Sequence, residues 1–155
     1  MNLMNFTMQL GLAFLLGAAI GLEREYRQKS AGLRTNTLVC VGSAAFILMS
    51  YSIGGDAVGR IASYVISGIG FLGAGVIMKD GLSVRGLNTA ATIWCSAAIG
   101  LFVGSGLSIE AVILTSIIML AHLLLRPISN HIYRYSFKNK NHKDCLLYTS
   151  DAADE

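Results

Sequence analysis

Residues 61–78, IASYVISGIGFLGAGVIM, form an 18-residue stretch that contains no charged side chain. An α-helix needs about 17 to 25 mostly apolar residues to cross the hydrocarbon core of a bilayer. The same stretch places Gly68, Gly70 and Gly73 in the spacing G-x-G-x-x-G, which in a soluble enzyme indicates a loop around a dinucleotide pyrophosphate. The two interpretations predict different folds, and the surrounding sequence decides between them.

A dinucleotide site needs a strand before the glycines and an acidic residue about 20 positions after them. Here the preceding residues lead into the glycines without a turn signal, and residues 88–98, NTAATIWCSAA, contain no Asp or Glu. Small residues in a membrane helix instead let a neighbouring backbone approach closely. We therefore interpret the glycines as a helix-packing feature.

Small residues recur at helical spacing in three of the predicted spans. Ser63, Ser67, Gly70 and Ala74 share one face of the quoted stretch, and the other sets are Gly68 with Gly75, Ala13 with Gly17 and Gly21, and Ser96 with Gly100 and Gly104. The predicted helix-packing residues are Gly17, Gly21, Gly68, Gly70, Gly73 and Gly75. A second interpretation is that the glycines permit a kink or thin a helix beside a polar path.

The composition favours a membrane protein throughout. The 155-residue chain is 54% hydrophobic and only 14% charged, more apolar than a soluble domain of this size can bury. Uncharged runs predict an all-α, polytopic bundle of five transmembrane helices at 3–22, 36–53, 61–78, 88–104 and 107–125. A tight turn at 104–106 joins the last two.

The first run could instead be a signal peptide, but it lacks a basic segment before it, and further spans follow.

Basic residues are distributed unequally between the two predicted sides. Eleven lie on the side of residues 23–35, 79–87 and the C-terminal tail, whereas Arg60 alone lies on the other. Because cytoplasmic loops carry an excess of Lys and Arg, the N-terminus is predicted outside and the C-terminus in the cytoplasm. The net charge of +3 therefore implies no nucleic-acid partner. Lys138 to Lys143 are either solvated or in contact with anionic lipid headgroups.

Charged residues concentrate between the first two spans, where two roles are open: a solvated cytoplasmic segment or a specific site. Glu23 precedes Arg27 by four residues, the favourable order for a helical ion pair. Glu23 and Arg24 lie at the membrane edge, where a charge needs a partner. Arg34 is a candidate partner for Glu23 or a headgroup anchor, and Asn36 is a candidate helix cap.

Asp56 and Arg60 lie four residues apart on the other side. They are interpreted as a helix cap with its ion-pair partner, or as a cation-entry site with Asp56 as the metal candidate.

Arg85 precedes the fourth span, in which Asn88, Thr92 and Cys95 share one face. That face predicts either interhelical hydrogen bonds or a functional surface. The cysteines at 40, 95 and 145 have no metal-site spacing, and no nucleophile–base pair stands out, so neither an enzyme nor a cofactor is predicted.

Two long stretches, GAAIGLEREYRQKSAGLRTNTLV and DAVGRIASYVISGIGFLGAGVIMKDGLSVRGLNTAATIWCSAAIG, resemble the MgtC/SapB family of bacterial inner-membrane proteins over roughly residues 10–126. The resemblance implies about five spans and a non-enzymatic regulatory role in virulence, through growth at low magnesium and survival inside macrophages. It also implies modulation of the F-type ATP synthase, by inhibition, or of the membrane potential. The expected partners are membrane lipids, the synthase or other membrane proteins, and a second copy of the chain. The matching motif positions are Glu23, Arg24, Arg34, Asp56, Arg60, Asn88 and Cys95.

The alternative function is an ion transporter or channel subunit, for magnesium or another cation. The sequence departs from MgtC-type members, which continue into a soluble cytoplasmic domain resembling ACT domains. We expect a transmembrane domain at 1–126, a basic cytoplasmic tail at 127–144 and a non-native end at 145–155, CLLYTSDAADE, which has the composition of a translated cloning scar.

Overall fold

The computed structural model describes residues 2–80 and 83–125. The described chain contains five long helices: α1 Leu3–Tyr26, α2 Leu33–Ile53, α3 Ala57–Val76, α4 Leu87–Gly104 and α5 Ser108–Leu125. Helices α1–α4 and the start of α5 belong to one compact unit, Met1–Ile117, and a second unit comprises Ile118–Glu155. The predicted basic tail, Cys145 and the predicted non-native end lie outside the described residues.

Each of the five helices is long and apolar enough to cross a membrane. Large apolar side chains cover their outer surfaces; Phe71, for example, is 83% exposed. Such a surface is compatible with lipid and would be unstable in water. The prediction of an all-α protein with five spans is therefore confirmed. The largest boundary differences are four residues: α3 begins at Ala57 instead of Ile61, and α1 extends beyond the predicted end at Leu22 and so carries Glu23 and Arg24 on its last turn.

Helices α1 and α4 pack against α2 through glycines. A Cβ atom added at Gly17 would lie 2.8 Å from the Cβ of Cys40 and 3.0 Å from the Cα of Thr37. One added at Gly21 would lie 2.6 Å from the Cα of Leu33. Any side chain at these two positions would force the backbones apart, so the close approach of α1 and α2 requires glycine.

The same geometry joins α4 to α2. A Cβ atom at Gly100 would overlap the carbonyl oxygen of Cys40, and one at Gly104 would lie 2.7 Å from the carbonyl oxygen of Ala44. Helix α2 is therefore the central element of the α1–α2–α4 assembly.

Helix α3 does not follow this pattern. Cβ atoms added at Gly68, Gly70 and Gly75 would meet nothing within 4 Å, and one at Gly73 would make only an ordinary contact, 3.6 Å from the Cβ of Ala90. Ser63, Ser67 and Ala74 are also exposed. The prediction that the α3 glycines pack against another helix is thus wrong for Gly68, Gly70 and Gly75 within the described chain. The face that α3 buries against α4 instead contains Ile69, which forms an apolar cluster with Ile93 and Ala97.

A short antiparallel hairpin that the sequence analysis did not predict connects α3 to α4. Strands β1 Met78–Asp80 and β2 Ser83–Arg85 pair in the register Met78 with Arg85 and Lys79 with Val84. Gly86 follows the hairpin with φ +91°, and a Cβ atom there would overlap the carbonyl oxygen of Val76. Only glycine combines this left-handed conformation with so close an approach, so Gly86 sets the angle at which α4 begins.

The two ends of the bundle can be named by their connections. Residues 27–32 and the hairpin lie at one end, the 27–32 end, because α1 and α3 both finish there. Residues 54–56 connect α2 to α3 at the opposite end, the 54–56 end, where Gly54 and Gly55 both have positive φ. The predicted turn between α4 and α5 is also at this end, with Gly106 at φ +82°.

Candidate functional site

Buried polar side chains meet at the 27–32 end, where α1 finishes and α2 and α4 begin. We call Arg24, Ala31, Asn36, Thr89 and Ser96 the polar cluster. Arg24 is 4% exposed, and Asn36 and Ser96 are fully buried. Gly21, one turn before Arg24, lets the first residues of α2 approach α1, so the 27–32 connection folds back over the end of α1. The cluster is thus a consequence of the glycine packing.

Arg24 joins three parts of the chain by hydrogen bonds. Its Nη2 donates to Oγ1 of Thr89 on α4 at 2.7 Å, and its Nε donates to the carbonyl oxygen of Ala31 at 3.4 Å. Ser30 Oγ also donates to Thr89 Oγ1, at 3.4 Å. Both acceptors of the guanidinium are neutral. Arg24 therefore fastens the end of α1 to the following connection and to α4.

Asn36 completes the cluster from α2. Its Nδ2 donates to the carbonyl oxygens of Ala31 and Gly32, at 3.0 and 2.8 Å. Its Oδ1 accepts a hydrogen bond from Ser96 Oγ on α4 at 2.9 Å. The carbonyl of Ala31 thus accepts from both Arg24 and Asn36. Because buried amide and guanidinium groups are costly to leave unbonded, this arrangement specifies one geometry for the three helices.

The predicted role of Asn36 as the cap of α2 is wrong. Helix α2 begins at Leu33 with Gly32 as its N-cap residue, so Asn36 lies inside the first turn. The capping contact comes instead from Glu25, whose Oε2 accepts a hydrogen bond from the backbone N–H of Leu33 at 3.0 Å. A carboxylate at a helix N-terminus is also favoured by the helix dipole.

Glu23 forms the predicted ion pair with Arg27, one turn further along α1. Arg34, the other predicted partner for Glu23, is exposed, and the ion pair is formed with Arg27 instead. Arg85 is also exposed, on β2. The structure therefore separates the charges predicted near the first connection: Arg24 is buried in the polar cluster, and Arg34 is on the surface.

On α4 the predicted polar face is displaced. Asn88 is exposed and Cys95 is half-buried, whereas Thr92 is buried and donates from Oγ1 to the carbonyl oxygen of Asn88 at 2.7 Å. The buried polar side chains of α4 are Thr89, Thr92 and Ser96, centred about 65° around the helix from the predicted face. The three predicted residues do share a helix face, but it lies at the edge of the buried surface.

At the 54–56 end, the first interpretation of Asp56 and Arg60 is correct for the N-cap position of Asp56 and wrong for the ion pair. Asp56 occupies the N-cap position of α3 but makes no capping hydrogen bond through its side chain, and it forms no ion pair with Arg60. Both side chains are exposed, and a backbone bond from Arg60 N to Asp56 O at 3.5 Å connects the two residues. In the described part of the chain, no three His, Cys, Asp or Glu side chains converge in a group that could hold a metal ion.

The sequence analysis missed Thr89 and the carbonyl of Ala31, and it assigned Ser96 only to packing. A signal was present for Thr89, because a polar residue at the start of a membrane helix must find a hydrogen-bond partner. The partner itself was not identifiable, since Arg24 is 65 residues away in the chain.

Comparisons with known proteins agree on one family. The profile of the MgtC family matches residues 10–131. The chain is 51% identical over 142 residues to Protein MgtC of Salmonella typhimurium, covering 92% of this chain and 62% of that protein. It is 56% identical over 117 residues to Protein MgtC of Brucella abortus, covering 75% and 49%, and 48% identical over 144 residues to an uncharacterized protein of Synechocystis, covering 90% and 62%. No solved structure matches the chain.

Proposed function

Because the chain belongs to the MgtC family, we propose that it is the membrane-spanning part of a regulatory protein that acts on other membrane proteins and catalyses no reaction. The match over 92% of the chain is the observation that carries this proposal. The chain spans only 62% of the Salmonella relative's length, so the proposal concerns what the membrane part contributes.

The polar cluster supports a regulatory protein over an ion carrier. An ion crossing a membrane needs a succession of polar ligands along its path. Here the groups of the polar cluster bond one another at the 27–32 end. The core nearer the 54–56 end contains Ile47, Ile99 and Val103, all fully buried, and the buried Ser50 donates its hydroxyl to the carbonyl oxygen of Ile47 in its own helix. Asp56, the carboxylate that could admit a cation, is exposed beyond this part of the core.

We further propose the bacterial inner membrane as the location, with the 27–32 end in the cytoplasm. The described basic residues divide between the ends: Arg60 belongs to the 54–56 end, and the 27–32 end has Arg24, Arg27, Lys29, Arg34, Lys79 and Arg85. This asymmetry favours a cytoplasmic 27–32 end and an outside N-terminus. The proposed biological role is adaptation to low magnesium and survival inside a host cell.

The proposed target is the membrane part of the F-type ATP synthase. Helix α3 leaves Ser63, Ser67, Gly70 and Ala74 exposed, and a small-residue face permits close contact with a helix of another protein. Regulation by such contact needs no catalytic group in this chain.

Co-reconstitution of the chain with purified F-type ATP synthase in liposomes tests the proposal. ATP synthesis driven by an imposed proton gradient should fall as the ratio of chain to synthase rises, and the effect should saturate. Liposomes that contain the chain alone should hold the gradient as long as empty ones. If ATP synthesis were unchanged at a saturating amount of the chain, the F-type ATP synthase would not be its target.

The same vesicles discriminate the ion-carrier alternative. If the chain alone dissipated the gradient or moved magnesium, and Asp56→Ala abolished that flux, the protein would be a carrier and the regulatory proposal would fail. We expect flux equal to that of empty vesicles for both the unmodified chain and the variant.

A further inference from the structure

An apolar groove of about 440 Å³ lies between α2 and α3. Its walls include Val39, Gly42 and Met49 of α2 and Ile61, Gly68 and Leu72 of α3. The volume falls within the range of small-molecule sites, about 300 to 1,000 Å³. The groove takes no part in the polar cluster.

Two glycines keep the groove open. Cβ atoms added at Gly42 and Gly68 would meet nothing within 4 Å, in contrast to the glycines that bring α2 against α1 and α4. An unfilled apolar space forfeits the dispersion contacts of its walls. In a bilayer, some apolar group must therefore occupy this groove.

The length of the groove identifies the occupant as one lipid chain. Its walls run from Val39 to Met49 on α2 and from Ile61 to Leu72 on α3. These segments rise about 15 and 16 Å at 1.5 Å per residue. Half of a 30 Å hydrocarbon core is about 15 Å, which is the depth of a single leaflet. A transmembrane helix of a partner or of a second copy would need contact along the whole span.

Two residues suited to contact a lipid headgroup lie near the end of the groove that is closer to residues 54–56. Tyr64, which lines it, is 73% exposed, and Arg60, one turn before Tyr64, is exposed and forms no ion pair with Asp56. Tyr side chains favour the membrane–water interface, and the Arg guanidinium is suited to bind a phosphate in two-point geometry. The Arg60 charge, which forms no ion pair with any described residue, therefore lies where the phosphate of a lipid seated in the groove would be.

We propose that the α2–α3 groove binds one acyl chain of an anionic glycerophospholipid, with the lipid phosphate at Arg60. This site is independent of the proposed function, because it involves neither the polar cluster nor a protein partner.

Quenching of tryptophan fluorescence by brominated lipid tests the site. The chain contains a single tryptophan, Trp94, so Trp94→Phe provides a background for Phe46→Trp in the groove wall. In vesicles, brominated phosphatidylglycerol should quench this reporter with about a fivefold preference over brominated phosphatidylcholine. A reference reporter at Phe71, which faces lipid outside the groove, should be quenched in proportion to the mole fraction of either lipid.

Three variants separate the contributions of the site. Gly68→Leu fills the groove and should abolish the preference for phosphatidylglycerol. Arg60→Gln should also bring this preference to about onefold, but the reporter should remain quenched by both lipids. Gly70→Leu is the matched control, because Gly70 is equally open but does not line the groove, and it should leave the preference intact. Native mass spectrometry of the unmodified chain should retain one phosphatidylglycerol, which Gly68→Leu loses. This second measurement needs no reporter.

Three results would overturn the proposal. Equal quenching at Phe46→Trp and Phe71→Trp by both lipids would mean that the groove holds only freely exchanging bulk lipid. If the Phe46→Trp reporter were protected from quenching by brominated lipid, and lost this protection when the protein is diluted in the bilayer, a second copy of the chain would fill the groove. A folded Gly68→Leu protein with an unchanged lipid preference would place the lipid elsewhere.

Discussion

At the residue scale, Arg24 is the unusual feature of this molecule. A guanidinium is expensive to remove from water, and a membrane-spanning helix normally keeps such a group at the headgroup level. Arg24 is nevertheless 4% exposed and hydrogen-bonded to Thr89 and Ala31. The charge is held because it connects three chain segments, and its loss would leave both acceptors without this donor.

Replacing Arg24 by Ala should therefore lower the free energy of unfolding by about 1 to 3 kcal/mol, because two hydrogen bonds from a buried, charged donor are lost. Arg27→Ala is the matched control, because Arg27 is the C-cap residue of the same helix, is more exposed and pairs with Glu23 one turn earlier. It should cost only a few tenths of a kcal/mol. Denaturant unfolding in detergent micelles measures both variants. An equal loss for the two would show that the polar cluster contributes no stability.

At the scale of the helix, glycine has two opposite roles in this chain. On α1 and α4 it lets the helix backbone approach α2, whereas Gly42 and Gly68 leave the groove between α2 and α3 open. The residue type is the same in both cases, and the neighbouring helix decides the consequence. A pattern of small residues thus predicts where close approach is allowed, but not where it occurs.

The pair Gly17→Ala and Gly11→Ala tests this distinction within one helix. The added methyl at Gly17 would lie 2.8 Å from the Cβ of Cys40, so the variant should lose about 1 to 3 kcal/mol of stability through overpacking. At Gly11 nothing lies within 4 Å, and stability should stay constant or rise by up to about 1 kcal/mol. Thermal unfolding in micelles provides the comparison. A neutral Gly17→Ala would contradict the close packing of α1 on α2.

At the scale of the whole molecule, the alternation of the helices brings distant loops to the same side. The 27–32 connection and the β1–β2 hairpin lie at one end, and residues 54–56 lie at the other. Arg34 and Arg85 are exposed near the first end, and Arg60 is exposed near the second. These three positions therefore report the topology of the described chain.

Single cysteines at these positions should react with a membrane-impermeant maleimide from opposite sides. In a background with Cys40, Cys95 and Cys145 replaced by Ser, Arg34→Cys and Arg85→Cys should be labelled in inverted membrane vesicles, and Arg60→Cys in intact spheroplasts. Labelling of Arg34→Cys and Arg85→Cys from different sides would contradict the five-helix topology. If all three labels appeared on the reverse sides, the proposed orientation alone would fail.

Local spacing predicted one contact beside the polar cluster correctly. The Glu23–Arg27 pair follows from spacing within one helix, and the structure contains it. Asn36 was assigned to a helix cap because polar residues near a helix start usually have that role, but Glu25 makes the capping contact. The partners of Arg24 and Asn36 on α4 lie 65 and 60 residues away, beyond the reach of any local rule.

The sequence by itself determined that the described chain has five membrane-spanning helices and where each one lies. The thickness of the hydrocarbon core imposes a minimum length on each apolar run, and that length is readable from consecutive residues. Only the tertiary structure decided which glycines face a neighbouring helix, that Arg24 is buried, and that a groove lies between α2 and α3. Those properties depend on which helix faces meet, and residues far apart in the chain supply the two sides of each contact.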